Sequence, residues 1–103
     1  MTCSKEVVVY AVVGKWQMDP AQRVEQDQAL NDQIVPMVKQ APGFVSASWG
    51  RTADGVESVS FVVFEDEASA KAFAEVVASD PEDRELAGVG PGWLTTIEIG
   101  VTA

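Results

Sequence analysis

The 103-residue chain has few of the side chains that enzymes use most often for acid–base or nucleophilic chemistry. It contains no histidine, which excludes Ser/His and Cys/His nucleophile pairs and removes the commonest metal ligand. Its single cysteine, Cys3, has neither a Cys nor a His partner for a zinc site, and Lys5 is its only basic neighbour. We therefore expect no bound metal. A reducing, cytoplasmic setting fits the cysteine content best.

Aromatic, basic and hydroxyl side chains remain as candidates, and several belong to one predicted β-hairpin. The segment ADGV, residues 53–56, is typical of a hairpin turn. With a two-residue turn at Asp54 and Gly55, the cross-strand pairs are Trp49 with Ser60, Ala47 with Val62, and Val45 with Phe64. Four side chains of interest then share one face of the hairpin: Trp49, Arg51, Ser60 and Phe64. A three-residue loop with a bulge at Gly55 would exchange the faces of one strand.

The strand that precedes this hairpin, predicted from Glu6 to Gly14, is apolar on both faces. One face carries Val7, Val9, Ala11 and Val13, and the other carries Val8, Tyr10 and Val12. A strand with one face in water would alternate with polar residues. We therefore expect this strand to be covered on both sides.

A helix is predicted to begin at Asp19, whose carboxylate can cap it, with Pro20 in the first helical position. Its core stripe consists of Leu30, Ile34, Met37, Val38 and Ala41, while the residues expected to face water are Glu25, Gln26, Asp32, Gln33 and Lys39. Pro36 lies inside this helix and removes one backbone donor, so we expect a kink near Asp32. Pro42 and Gly43 end the helix, and the second strand follows.

A second helix is predicted after the hairpin, with Asp66 as its N-cap and a core stripe at helical spacing: Ala70, Phe73, Ala74 and Val77. Residues 80–86 are expected to form one short helical turn, opened by an Asp-Pro pair. The glycine-rich segment 88–92 is interpreted as a loop that re-enters the sheet, because phosphate-binding loops lead into a helix instead. The last strand is predicted over residues 94–102.

The order strand, helix, strand, strand, helix, strand predicts an α+β, ferredoxin-like βαββαβ sandwich. The expected structure is a single domain, residues 1–103, with a four-stranded antiparallel sheet and two helices on one face. RNA-recognition modules use the bare face, but the net charge of −9 repels nucleic acid and anionic membranes, and no stretch approaches the ~20 apolar residues that span a bilayer. Because the first and third strands are apolar on both sides, we expect the bare face to bury itself against a second copy in a homodimer.

Three features along nearly the whole chain resemble the antibiotic biosynthesis monooxygenase-like family of dimeric α/β barrels. They are the helix ending in QAPGF, residues 40–44, the turn at Asp54 and Gly55, and Phe64 before an acidic helix start. The Pro-Gly-aromatic motif marks the geometry of a turn, so the resemblance bears on the fold more than on the activity. Members include cofactor-independent oxygenases acting on quinols or anthrone-like polyketides, haem-degrading oxygenases, and small proteins with no established role.

The haem-degrading branch of that family implies residues that this chain lacks. It has an iron-ligating His after the second helix, an Asn on the first strand and a Trp at the end of the third. Here there is no His, no Asn on the first strand, and Phe64 stands in the Trp position. The resemblance therefore implies chemistry without a cofactor, in which an electron-rich phenol or quinol loses a proton and passes an electron to O2 inside an apolar pocket.

The resemblance also places the Phe64 face of the hairpin toward the helices, where the family has its pocket. Arg51 would then be the partner of an oxyanion or carbonyl, Trp49 would stack on an aromatic ring, and Tyr10 would donate or accept a proton. The other expected contacts with a small apolar or aromatic ligand are Phe64, Ser60, Met37, Trp16 and Trp93, the last two at the cavity mouth. Five of these residues can instead have a purely structural role. Trp49, Tyr10 and Phe64 would belong to the core, Arg51 would be a solvated charge at a strand end, and Met37 would fill a gap in the packing.

The sequence leaves three possible functions open. A monooxygenase-like enzyme predicts a roomy apolar pocket reached by Arg51 or Tyr10, and a non-catalytic binding protein has the same pocket without turnover. A purely structural dimer has no ligand-sized cavity between helices and sheet. The hairpin carries four small polar residues that leave volume unfilled, which favours a pocket: Ser46, Ser48, Ser58 and Ser60.

Overall fold

The structure is a computed structural model that describes residues 9–78 and 89–101. Four strands are present: β1 is Val9–Met18, β2 is Phe44–Arg51, β3 is Glu57–Phe64 and β4 is Val89–Ile99. They form one antiparallel sheet in the order β2-β3-β1-β4, and the helices pack on one of its faces. This is the ferredoxin-like arrangement predicted from the sequence.

The first helical segment contains a π-turn in its middle. It consists of a 3-10 turn, Pro20–Gln22, then α1, Arg23–Ala29, the π-turn, Leu30–Ile34, and α2, Val35–Lys39. As predicted, Asp19 caps its start, because the Oδ1 atom accepts a hydrogen bond from the backbone N of Ala21 at 3.0 Å. The disturbance expected from Pro36 takes the form of the π-turn, in which the N–H of Val35 donates to the carbonyl of Leu30. The wider turn accommodates a ring that has no N–H and would crowd the preceding carbonyls.

The hairpin of β2 and β3 has the predicted register over most of its length. Trp49 pairs with Ser60 and Ala47 pairs with Val62. The loop is longer than predicted, since the backbone N of Thr52 donates to the carbonyl of Glu57 at 2.9 Å and residues 53–56 form the turn. The register survives because the longer loop removes the same number of residues from each strand.

At the far end of the hairpin the predicted pair of Val45 with Phe64 is wrong. Phe44 pairs with Phe64, and Val45 is the extra residue of a β-bulge. The bulge lets Phe44 turn toward the helices and pack against the core.

Gly43, with a φ of 79°, ends the preceding helix as predicted, in a backbone conformation that favours glycine.

The first and last strands of the chain differ from their predicted bounds. β1 continues past Gly14 to Met18, which brings Trp16 into the sheet. β4 begins at Val89, so the interpretation of the glycine-rich segment as a loop is wrong from that residue onward. A Cβ atom at Gly92 would lie 1.7 Å from the carbonyl oxygen of Lys15, which explains the glycine at this bulged crossing of β1 and β4. The short helical turn predicted at 80–86 and the first residues of the predicted β1 lie outside the described residues.

The apolar core occupies one end of the face that the helices cover. Its buried members are Val12, Val38, Val62, Phe64 and Ala70. The helix α3, Glu67–Ala78, contributes Phe73, whose ring centroid lies 5.2 Å from that of Phe64. The predicted N-cap is confirmed, because the backbone N of Ser69 donates to Oδ1 of Asp66 at 2.7 Å, a hydrogen bond that lowers the pKa of Asp66.

The opposite face of the sheet carries no helix in the described part of the chain. Strand pairing places on it several large apolar side chains that are 37% to 51% exposed: Val59, Phe61, Trp93 and Ile97. Within the described ranges no helix has the length and apolar character needed to cross a membrane.

Candidate ligand cavity

A cavity of about 810 Å³ lies between the sheet and the helices, next to the apolar core, whose Val12, Val38 and Val62 form part of its wall. Its sheet side includes Trp16, Trp49, Arg51, Ser58 and Ser60, and its helix side includes Asp27, Leu30, Gln33, Ile34 and Met37. A cavity of this size holds a drug-sized molecule. The hypothesis of a purely structural dimer, which has no ligand-sized cavity between helices and sheet, therefore does not describe this region.

Two serines on the central strand β3 leave the floor of the cavity open between larger neighbours. Ser60 lies opposite Trp49 on β2, and Ser58 lies opposite Trp16 on β1. Both serines are 8% exposed. The indole Nε1 of Trp16 donates a hydrogen bond to Oγ of Ser60 at 3.3 Å, which fixes the ring against the floor. Of the four serines that suggested unfilled volume, these two line the cavity, whereas Ser46 and Ser48 alternate to the open face.

Gly14 supplies the space that the Trp16 ring occupies. It pairs with Ser60 across β1 and β3. A Cβ atom at Gly14 would lie 2.8 Å from both Nε1 of Trp16 and Oγ of Ser60, closer than real Cβ contacts. The orientation of Trp16 therefore depends on a glycine at this position.

Arg51 reaches the cavity from the end of β2 and forms an ion pair there with the helix. Its Nη2 atom lies 2.9 Å from Oδ1 of Asp27, and its side chain is only 13% exposed. The second guanidinium nitrogen, Nη1, is buried and has no hydrogen-bond partner within residues 9–78 and 89–101. Arg51 is thus not the solvated strand-end charge that its place beside the turn suggested.

Asp27 joins two arginines at this end of the cavity. Its other oxygen, Oδ2, lies 3.8 Å from Nε of Arg23, one helical turn earlier in α1. Gln26, expected to face water, is 5% exposed, and its Nε2 donates to the carbonyl oxygen of Asp19 at 3.1 Å. Sequence reasoning missed Asp27 and Gln26. Asp27 lies three residues and Gln26 four residues before Leu30, and this spacing was the available signal, because it extends the core stripe of the helix by one turn.

Three residues predicted for the site do not line this cavity. Phe64 is completely buried in the core. Tyr10 pairs with Phe64 at the core end of the sheet, and the pKa of its hydroxyl is raised by desolvation and by the nearby carboxylates of Glu98 and Glu67. Trp93 pairs with Lys15 and alternates to the open face. The predicted residues that do meet in the cavity are Trp16, Met37, Trp49, Arg51 and Ser60.

A second concavity, of about 250 Å³, lies on the outer side of the helices. Its walls include Met37, Ala41, Phe73 and Val76, and no charged side chain lines it. Within the described residues no cluster of three or more His, Cys, Asp or Glu side chains has the geometry of a metal site. The larger cavity is therefore the place where apolar volume and oriented polar groups coincide.

No protein-family model and no curated protein matches the chain. Solved structures do match it. A monooxygenase from the gene ActVA-Orf6 of Streptomyces coelicolor, in complex with nanaomycin D, is 20% identical over 93% of this chain and 91% of that one, with a TM-score of 0.69. SnoaB, a cofactor-independent oxygenase from Streptomyces nogalater, is 16% identical over 91% and 95%, with a TM-score of 0.66. MhuD, a heme-degrader from Mycobacterium tuberculosis with two hemes bound, is 14% identical over 91% and 98%, with a TM-score of 0.71.

The chain has the fold of these proteins. The resemblance seen in the sequence is thereby confirmed for the fold, as is the ferredoxin-like class. Because oxygenases and a heme-degrader match this chain about equally well, the fold does not select among their chemistries, and only the side chains in the cavity can. No His or Cys lines the cavity among the described residues, so it offers neither the imidazole nor the thiolate that commonly holds haem iron.

Proposed function

We propose that the protein binds a small aromatic molecule in the cavity and acts as a cofactor-independent oxygenase on it. The observation that carries the proposal is the convergence of two tryptophans and one buried arginine on a cavity of about 810 Å³. Tryptophan faces provide stacking surfaces for a planar ring. A buried guanidinium provides a permanent positive charge and oriented donors.

The proposed reaction takes its electrons from the substrate. An anthrone-like CH2 group beside an ionisable phenol or enol reacts with O2 to give a carbonyl group and one molecule of water. Loss of the acidic proton leaves an oxyanion, which passes an electron to O2 in the first step. Arg51 would stabilise that oxyanion, because a charge-assisted hydrogen bond in a water-poor cavity is stronger than its counterpart in water.

A binding protein without turnover is the second candidate, and one observation favours it. The only carboxylate that lines the cavity in the described part of the chain, Asp27, is already paired with Arg51 and Arg23. Tyr10, the predicted proton donor or acceptor, lies outside the cavity. No carboxylate that lines the cavity in the described part of the chain is therefore free to act as a base, and an oxygenase that relies on these residues would need a substrate acidic enough to ionise unaided.

A thermal-shift screen with quinols, anthrones and flavonoid-like phenols, followed by oxygen-uptake measurements, tests both candidates. We expect hits to raise the Tm and to consume O2, and Arg51→Ala to abolish uptake while costing only about 1 kcal/mol of stability, since its partner Asp27 is half exposed. The control Lys71→Ala removes an exposed cation on α3 and should leave uptake unchanged. Stabilisation without uptake would support the binding protein, and an Arg51→Ala variant with the original rate would remove Arg51 from the reaction.

We also propose that the protein is a homodimer, with the open face of the sheet as the interface. The exposed apolar side chains on that face support this proposal, since monomers seldom leave a wide apolar sheet face in water. The single cysteine supports a cytoplasmic location.

A further inference from the structure

Among the described residues, those with charged side chains that line the cavity have a net positive charge, although the whole chain has a net charge of −9. They are Arg23, Asp27 and Arg51, and together they form what we call the Arg51 cluster. One carboxylate shared between two guanidinium groups leaves one positive charge uncompensated. Two other cations of the described chain are paired elsewhere: Lys15 with Glu57, and Lys71 with Glu67.

The geometry of the Arg51 cluster leaves donors for one more acceptor. Asp27 uses a separate oxygen for each arginine, with Oδ1 at 2.9 Å from Nη2 of Arg51 and Oδ2 at 3.8 Å from Nε of Arg23. Nη1 of Arg51 is buried without a partner among the described residues. A buried charged donor without a partner is unfavourable, and an anionic acceptor compensates it better than a neutral one.

Two acidic groups at the hairpin end, Asp54 and Glu57, are engaged in the hairpin loop and across the sheet. Asp54 accepts hydrogen bonds from Thr52 and from the backbone N of Val56, and Glu57 pairs with Lys15. Neither carboxylate lines the cavity. Within residues 9–78 and 89–101, the positive charge of the Arg51 cluster is therefore not cancelled by a second carboxylate inside the cavity.

We propose that the ligand of this cavity is an aromatic acid, with its ring beside the tryptophans and an ionised carboxylate or acidic hydroxyl at the Arg51 cluster. This inference rests on the proposed binding function and adds the charge of the ligand to it. Asp27 is then a positioning residue that holds the Arg51 side chain and moderates its charge. Replacing Asp27 or Arg51 should change the preference for anions in opposite directions, which a purely structural ion pair would not do.

The test compares 2-naphthoate with its neutral isostere 2-naphthamide by isothermal titration calorimetry. For the wild-type protein we expect naphthoate to bind roughly tenfold more tightly, the difference between a charge-assisted and a neutral hydrogen bond. Arg51→Gln should reduce the ratio of the two affinities to about one, and Asp27→Asn should raise it above the wild-type value. Circular dichroism verifies the fold of each variant. If Arg51→Gln does not fold, Arg23→Gln replaces it in the test. This change, at a 57% exposed side chain, should also lower the ratio of the two affinities.

The matched control is Lys71→Gln, which removes one positive charge from the exposed surface of α3 and should leave the ratio unchanged. Equal affinities for the acid and the amide in the wild-type protein would overturn this inference while leaving the binding function intact. The inference is also overturned, with the binding function left intact, if Asp27→Asn and Arg51→Gln shift the ratio of the two affinities in the same direction. If neither compound binds and no aromatic compound in the wider screen does, the proposed function and this inference are both overturned.

Discussion

At the residue scale, the cavity depends on small side chains placed beside large ones. Gly14, Ser58 and Ser60 lie in adjacent strands next to Trp16, Trp49 and Arg51. The three small residues have too little volume to fill the space below the helices, and the large side chains border that space instead of occupying all of it. Ligand binding should therefore respond sharply to added volume at the small positions.

Gly14→Ala tests this dependence. The added methyl group would lie 2.8 Å from both Trp16 Nε1 and Ser60 Oγ, so the indole must shift and its hydrogen bond must lengthen or break. We expect a loss of about 1–3 kcal/mol in the free energy of unfolding and at least severalfold weaker ligand binding. Urea denaturation and calorimetry measure the two effects.

Gly50→Ala is the matched control, because Gly50 lies on strand β2 of the same sheet and a Cβ atom there meets no atom within 4 Å. Its effect on stability should stay within about 0.5 kcal/mol. A Gly14→Ala variant as stable as Gly50→Ala, with unchanged ligand affinity, would contradict the role assigned to Gly14.

At the element scale, the π-turn decides which residues of the first helical segment face inward. In a regular helix that presents Leu30 to the sheet, Ile34 and Met37 would lie at the centre of the core stripe and Val38 at its edge. Instead Val38 is 1% exposed, whereas Ile34 is 36% and Met37 is 47% exposed. The wide turn at Leu30–Ile34 rotates α2 so that Val38 enters the core, and the flexible Met37 moves to the edge of the cavity.

Pro36→Ala should convert the π-turn to regular α-helix, because alanine restores the missing N–H and removes the crowding ring. The rotation of α2 would then move Val38 from the centre of the core-facing side to its edge and change the helix side of the cavity. We expect severalfold weaker ligand binding with a change in unfolding free energy within about 1 kcal/mol, since the relief of the proline cost offsets the lost burial. A crystal structure and ligand titration of the variant measure the outcome.

Pro42→Ala is the control for this change, because Pro42 follows the end of α2 and has no place in the π-turn. It should keep both the π-turn and the ligand affinity. A Pro36→Ala structure that retains the hydrogen bond from Val35 to Leu30 would show that proline is not the cause of the turn.

At the scale of the whole molecule, the sheet has one face covered by helices and one that is open and apolar. We predict that a second copy covers the open face, so that sedimentation or light scattering at micromolar concentration gives twice the chain mass of 11.0 kDa. Phe61→Lys places a charge on the central strand β3 of that face and should shift the protein to monomer. Val24→Lys, at a 74% exposed position on α1, should remain dimeric. A wild-type mass of one chain would refute the dimer.

Much of the fold followed from local patterns in the sequence. Asp19 and Asp66 cap helices as predicted, and the hairpin register that pairs Trp49 with Ser60 followed from the turn residues. The wrong predictions came from local rules that consider a few consecutive residues and not the strand that pairs with them. A bulge at Val45 changed the last pair of the hairpin, and β4 extended through glycines that read as a loop.

The sequence by itself determined the order of the elements and the apolar character of both faces of the central strands, whereas it left two registers open for the hairpin that carries Trp49 and Arg51. Periodicity, caps and turn residues act over a few positions, so they can be read along the chain. The tertiary structure alone decided that Arg51 meets Asp27, 24 residues away, and that Trp93 lies on the open face. Those outcomes depend on how far the π-turn rotates a helix and where a bulge shifts a strand, because a shift of one residue moves a side chain to the other face.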